Sequence, residues 1–241
     1  FDMITNAGSV FGLSISAAET EVTGLGAGKA KNDIESYTAS LYMDRTGENG
    51  FLEGSITLGY NDHDSSRKLT TGGVTSNYKS AYSSEQASLR IKGGAPKEVG
   101  SSSFVTPFAS VTATVIDTDA HSESSDQASD DLRLKLEQDQ INSVVGTVGF
   151  KVHSVTDFGV PMISFALNNE FGDTTISTTN SYLGGGSAFK TKTEVEEMSA
   201  TLGLGYTFGS DGATLNIGYE AEANDDDYLS HFGTIKLVGK F

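Results

Sequence analysis

Between Asp211 and Ala223 polar and apolar residues alternate without interruption, Ala213, Leu215, Ile217, Tyr219 and Ala221 against Thr214, Asn216, Gly218, Glu220 and Glu222. A helix would scatter such a series around its circumference, whereas a strand gathers each set on one face. The pattern is not local. Leu52, Gly54, Ile56, Leu58 and Tyr60 oppose Glu53, Ser55, Thr57, Gly59 and Asn61, and Tyr37, Ala39, Leu41 and Met43 oppose Ser36, Thr38, Ser40 and Asp44. Further apolar series with the same period run from Phe11 to Ala17, Ala87 to Ile91, Val105 to Val115, Ile163 to Leu167 and Met198 to Phe208. One register holds from Leu132 to Val152, which predicts a single strand that outruns a membrane and carries its polar part into water.

The closing stretch Tyr228–Phe241 places Leu229, Ile235, Leu237 and Phe241 on one face, with Thr234, Lys236 and Lys240 on the other. A strand with an oily side, a wet side and an aromatic terminus is that of an outer-membrane barrel. No apolar run approaches the roughly 20 residues that a membrane helix requires, so helical spanning is excluded. A barrel escapes this test, because only alternate residues meet lipid. Aromatic residues near strand ends, among them Tyr60, Phe150, Tyr206, Phe208 and Tyr219, fit girdles at headgroup level.

Composition agrees. The chain has 28 Gly, 3 Pro, no Trp and no Cys, which suits many short strands and removes disulfides and thiolate metal sites. Its net charge of −16 argues against nucleic acid or an anionic surface as partner, since the long-range field repels both. Most of the acid falls between strands, in Asp117 to Asp131 and in Asp225, Asp226 and Asp227, as solvated loop charge does. A start at Phe1 without Met or signal peptide is expected of a processed or trimmed piece.

Connector length alternates as well. Thr46 to Gly50, Gly94 to Ser102, Ser154 to Gly159 and Gly209 to Gly212 are short and turn-like, while Glu19 to Lys31, Asp64 to Tyr78, Thr118 to Asp131 and Asp173 to Phe189 are long and polar. Short periplasmic turns at one rim and long extracellular loops at the other define the fold class: an all-β, transmembrane antiparallel up-and-down β-barrel forming a single domain over residues 1–241. Ten strands follow Val10, with Phe1 to Thr5 as the tail of another. Bacterial barrels close with an even number, so the expected total is 12, the first strand and most of the second lying upstream of Phe1.

Several of these segments together resemble the translocator (β) domain of autotransporters, the type V secretion proteins. The carriers are Tyr219-Glu220, then Tyr228-x-Ser230-His231-x-Gly233 leading to Phe241, with Ser36-Tyr37, Leu41-Tyr42, Gly59-Tyr60 followed by Arg67, and Thr106-Pro107-Phe108-Ala109-Ser110-Val111 upstream. The luminal α-helix that the family normally carries before its first strand is not visible, and Gly239 stands where a bulkier residue is common. The resemblance implies a barrel that anchors and translocates an N-terminal passenger to the bacterial cell surface. It implies as partners the outer-membrane lipid and lipopolysaccharide, the barrel-assembly machinery and the chain's own passenger segment, in a monomer. Gly233, Ile235, Leu237 and Phe241 are then the expected assembly signal.

With the apolar face outside, Glu53, Arg90, Lys92, Lys151, Glu197, Glu220, Glu222, Lys236 and Lys240 are expected to line the lumen. Both signs suit a hydrated passage better than the single-sign constriction of a selective channel. A stand-alone porin-like channel is the alternative function, and a rim hydrolase using His63 or His121 with nearby Asp62, Asp64, Asp119 or Glu123 is a third. Local Asp-His composition is weak support for that chemistry, and neither Gly-x-Ser-x-Gly nor His-Glu-x-x-His occurs. The chain is therefore expected to be no enzyme and to need no cofactor or metal, although Asp225, Asp226 and Asp227 could bridge divalent cations. Gly184, Gly185 and Gly186 fit a loop tip rather than a phosphate loop.

Overall fold

The computed structural model describes residues 2–5, 8–24, 28–47, 49–127, 131–210, 212–224 and 228–239. Asp225, Asp226, Asp227, Lys240 and Phe241, all singled out above, lie outside the described residues. In chain order the strands are β1 (Asp2–Ile4), β2 (Ser9–Thr23), β3 (Lys31–Gly47), β4 (Gly50–Thr71), β5 (Val74–Gly94), β6 (Lys97–Gly100), β7 (Ser103–Thr118), β8 (His121–Ser122) and β9 (Ser124–Ser125). There follow β10 (Leu134–Gln138), β11 (Ile141–Ser154), β12 (Val160–Glu170), β13 (Thr175–Tyr182), β14 (Phe189–Glu194), β15 (Met198–Ser210), β16 (Ala213–Ala223) and β17 (Leu229–Gly239).

The principal sheet is an antiparallel meander, β1-β2-β3-β4-β5-β7-β11-β12-β15-β16-β17, in which each strand pairs with the next along the path. Beginning with β2, this path has the ten strands expected from Val10 onward, and β1 is the expected tail. A twelfth strand is not among the described residues, and within them β1 and β17 are not paired with each other.

The sheet is inside out relative to a water-soluble domain. Among the described residues the only buried hydrophobic side chains are Tyr78 and Ala166, while Leu13, Leu41, Ile56, Leu89, Val148 and Leu204 are exposed. The register collects them, since Leu13, Leu41, Ile56, Leu89, Ala113 and Val144 form one continuous row across six strands. So large an apolar surface is tolerable only against lipid.

The band has a visible upper limit. Tyr37 and Tyr60 are paired across β3 and β4, and one step above them come Glu35 and Asp62, with Glu19 beside Glu35. Tyr37 donates its hydroxyl to Glu35 at 3.1 Å and Tyr60 donates to Asp62 at 2.9 Å. Each ring stays in the apolar band while its hydroxyl points to water, the usual compromise of an interfacial tyrosine. From Leu52 to Tyr60, with a rise near 3.3 Å and a tilt near 45°, the band is about 20 Å tall. The upper part of β4 therefore stands beyond the membrane.

Three expectations are corrected here. Leu132 to Val152 is not one strand. It breaks at Asp139 and Gln140, and β10 joins β8, β13 and β14 in a separate four-stranded sheet while β11 stays in the barrel wall. An unbroken register cannot reveal this, because both pieces keep period 2 and the break is made by different partners, β13 above and β12 below. The stretch Asp64 to Tyr78 is likewise no irregular loop, since β4 and β5 continue to Thr71 and Val74. They are joined by Gly72 and Gly73 at φ 60° and 81°, the two left-handed positions of a tight hairpin turn. Between Gly94 and Ser102 the turn also contains β6, which folds back on the start of β7.

Candidate functional site

Curling of the sheet encloses a cavity of about 1070 Å³ on its concave face. The alternation described above decides what lines it: wherever one residue of a strand meets lipid, its neighbour turns inward. Glu53 on β4, Arg90 and Lys92 on β5, Lys151 on β11 and Glu220 and Glu222 on β16 all border this one cavity. Glu197 borders it too, but from the connector before β15, where its carbonyl accepts the Glu170 N–H at 2.7 Å. Lys236 of β17 pairs with Asn216 of β16 and does not border the cavity.

The charges are arranged without close pairing. Lys92 approaches Glu53 only to 3.9 Å and lies 4.7 Å from the centre of the Phe108 ring. That ring crosses Gly149, where a Cβ would stand 2.7 Å from its Cζ, so only glycine leaves the aromatic room beneath the lysine.

Residues that side-chain chemistry alone did not single out complete the wall. Asn168 donates to Ser199 at 3.1 Å and Thr201 at 3.0 Å, and accepts from Thr147 at 2.9 Å. Ser199 in turn donates to Glu222. The network stitches β11, β12, β15 and β16 from inside, a place where each lost partner leaves a half-buried polar group unsatisfied. Asn168→Leu is expected to lower stability by about 2 kcal/mol, read as a lower urea midpoint of the folded barrel in detergent. The signal for Asn168 was its parity, opposite to that of the outward Ile163, Phe165 and Leu167, which places it on the inward set.

Higher up, beyond the apolar band, the candidate hydrolase residues serve other ends. His63 Nδ1 receives the Asn32 side-chain amide at 3.2 Å, which leaves the ring proton on Nε2, 2.9 Å from Ser84 Oγ. Asn61 also donates to Ser84 at 3.1 Å. Ser84 is thus a buried acceptor, the reverse of a nucleophile giving its proton to a base. His121 meets the Asp119 carbonyl at 3.1 Å rather than a carboxylate, and the rings of His63, Tyr82 and His121 stack at 4.6 and 3.8 Å. Burial, and secondarily the nearby His121, hold the His63 pKa below its ordinary value against the pull of Asp62. A lowered pKa means that the folded state binds fewer protons than the unfolded one, so stability falls as pH drops below about 6.5. Amide exchange in β4, β5 and β8 above the band is expected to quicken between pH 7.5 and 5.5, and His63→Gln to flatten the change.

The same region holds a strong local fastening. Arg67 donates to both oxygens of Glu123 at 2.6 and 2.7 Å, and its guanidinium lies 4.1 Å from the centre of the Tyr78 ring. Glu123 also accepts the Leu134 N–H at 2.7 Å, tying the β8–β10 segment to the β4–β5 hairpin. No group of three or more His, Asp or Glu among the described residues is placed to hold a metal. In the closing strand Gly233, Ile235 and Leu237 face Tyr219, Ile217 and Leu215 of β16 on the outward, apolar side. His231 shares that side and bonds the Tyr219 hydroxyl.

An antiparallel meander with an oily exterior, a charged interior cavity and short turns at one rim is a transmembrane β-barrel with a hydrated lumen. The family follows directly: the autotransporter β-domain model matches residues 1–220, and the chain belongs to that family. Among solved structures it is similar to the translocator domain of the autotransporter NalP from Neisseria meningitidis, at TM-score 0.75 and 16% identity, covering 100% of this chain and 78% of that one. It is also similar to the β-domain of the Bordetella autotransporter BrkA, at TM-score 0.60 and 18% identity, covering 98% of this chain and 84% of that one. No match was found among curated proteins.

Proposed function

We propose that this chain anchors in the outer membrane of a Gram-negative cell and passes an N-terminal passenger segment through its lumen to the surface. Membership of the autotransporter β-domain family supports the role. The observation that carries it is the luminal cavity, whose Arg90, Lys151, Glu197 and Glu220 make no ion pair of their own and whose Lys92 reaches Glu53 only at 3.9 Å, so that these groups can solvate a polar chain. Such a wall offers an unfolded polypeptide transient, exchangeable contacts rather than a tight site, and transport of this kind needs no catalytic group.

The outward apolar row faces lipid, with lipopolysaccharide headgroups at the level of Glu35 and Asp62. The edge of β17 carrying Gly233, Ile235 and Leu237 is the strand offered to the assembly machinery, because an unpaired edge cannot remain in lipid. We assign these partners to a monomer.

The test is the size and exposure of the unprocessed product. An immunoblot of expressing cells with an antibody against residues 118–131 is expected to show a precursor larger by a passenger, and protease added outside intact cells should shorten it. A precursor longer only by a signal peptide and a strand or two would leave the stand-alone channel.

A further inference from the structure

Taking the lumen as a polypeptide passage, we propose that it selects a segment of sorted charge, with carboxylates seated against Arg90, Lys92 and Lys151 and basic residues toward Glu197, Glu220 and Glu222. The proposal rests on that reading of the cavity and on where its charges stand. Arg90 and Lys92 lie near the short-turn end of β5, and Lys151 near the short-turn end of β11. Glu220 and Glu222 lie near the opposite, long-loop end of β16, and Glu197 in the connector above β15. All six border one cavity.

The two sets do not neutralise each other. Among the described residues Arg90, Lys151, Glu197, Glu220 and Glu222 make no ion pair, and Lys92 reaches only Glu53, at 3.9 Å. Asp44 and Glu53 border the same end, where the three cations outnumber the two carboxylates and leave a net positive charge. At the other end Glu170, Glu197, Glu220 and Glu222 border the cavity, and none of them forms an ion pair with Arg90, Lys92 or Lys151. Placing three of the chain's 16 Lys and Arg residues in one interior cluster, within a protein of net charge −16, runs against its overall field. An occupant with acid at one end and base at the other satisfies both clusters at once. A uniformly charged occupant is repelled at one of them, and an alternating one meets a mismatch at every second residue.

The experiment is peptide block of the protein purified from outer membranes and reconstituted in planar bilayers. Two synthetic peptides of identical composition are compared, one with glutamates gathered in one half and lysines in the other, the second with the two alternating. The sorted peptide is expected to block current at about tenfold lower concentration, the sum expected of a few water-exposed ion pairs, and to lose its advantage near 1 M salt. The variant Arg90→Gln/Lys151→Gln should shrink the difference, and Arg90→Glu/Lys92→Glu/Lys151→Glu should abolish it, with folding of each verified by heat-dependent migration on a denaturing gel. Equal block by the two peptides, or a preference unchanged in the folded double variant, would overturn the sorted-charge proposal while leaving the passage intact. A folded wild-type protein that opens no channel would overturn the passage itself, and this proposal with it.

Discussion

Replacing Ile56 with lysine is expected to cost about 2–4 kcal/mol, the largest effect of any single change in the barrel wall. Ile56 lies in the middle of the apolar row, between Leu41 and Leu89, with its side chain outward and 54% exposed. In water that exposure would make the substitution harmless. In lipid it puts an ammonium group near the bilayer midplane, from which a lysine stem reaches the headgroups only by distorting its surroundings. Thr57→Lys, one residue along, points the same charge into the hydrated cavity and loses a single hydroxyl contact, with Ser40 at 2.8 Å. The pair should separate cleanly by the fraction that keeps heat-dependent gel migration after refolding into vesicles. Equal loss in both would mean that the two faces of β4 have been assigned wrongly.

Glu123→Ala is the second large effect, and it is local. The substitution strands Arg67 against the Tyr78 ring and leaves the Leu134 N–H without its acceptor. Glu123 is buried and Arg67 partly so, and removing one member of such a pair costs about 3 kcal/mol, since the remaining charge has lost its partner but not its surroundings. The loss falls on the four-stranded outer sheet, which reaches the barrel wall here. Proteolysis of intact cells should cut between residues 119 and 134 in the variant, while the membrane-embedded strands stay protected. Arg67→Ala should do at least as much damage, because it leaves Glu123, the more deeply buried of the two charges, without its guanidinium.

The membrane part of this protein was legible from its residues because lipid and water impose opposite demands on adjacent positions. Leu52 to Asn61 and Ala213 to Glu222 give their faces away without any knowledge of partners. Glu53, Arg90, Lys92, Lys151 and Glu220 are polar members of such runs, and each borders the cavity. Period alone also led from Leu132 straight to Val152, and the chain there changes sheets. Outside the membrane nothing penalises a polar strand for leaving its neighbour, so the break at Asp139 and Gln140 carries no pattern. Arg67 and Glu123 are far apart in sequence and share no motif, and their pairing escaped notice for the same reason.

Alternation along the chain therefore settled the class of fold and the apolar face of each strand, because those depend only on which solvent each residue of a strand meets. Pairing decided the rest: which cations cluster at one end of the lumen, which carboxylates stand at the other, and how the hairpins above the membrane are fastened into a second sheet. Those outcomes depend on contacts between residues many positions apart, set by register and curvature of the whole sheet, and no local period encodes them.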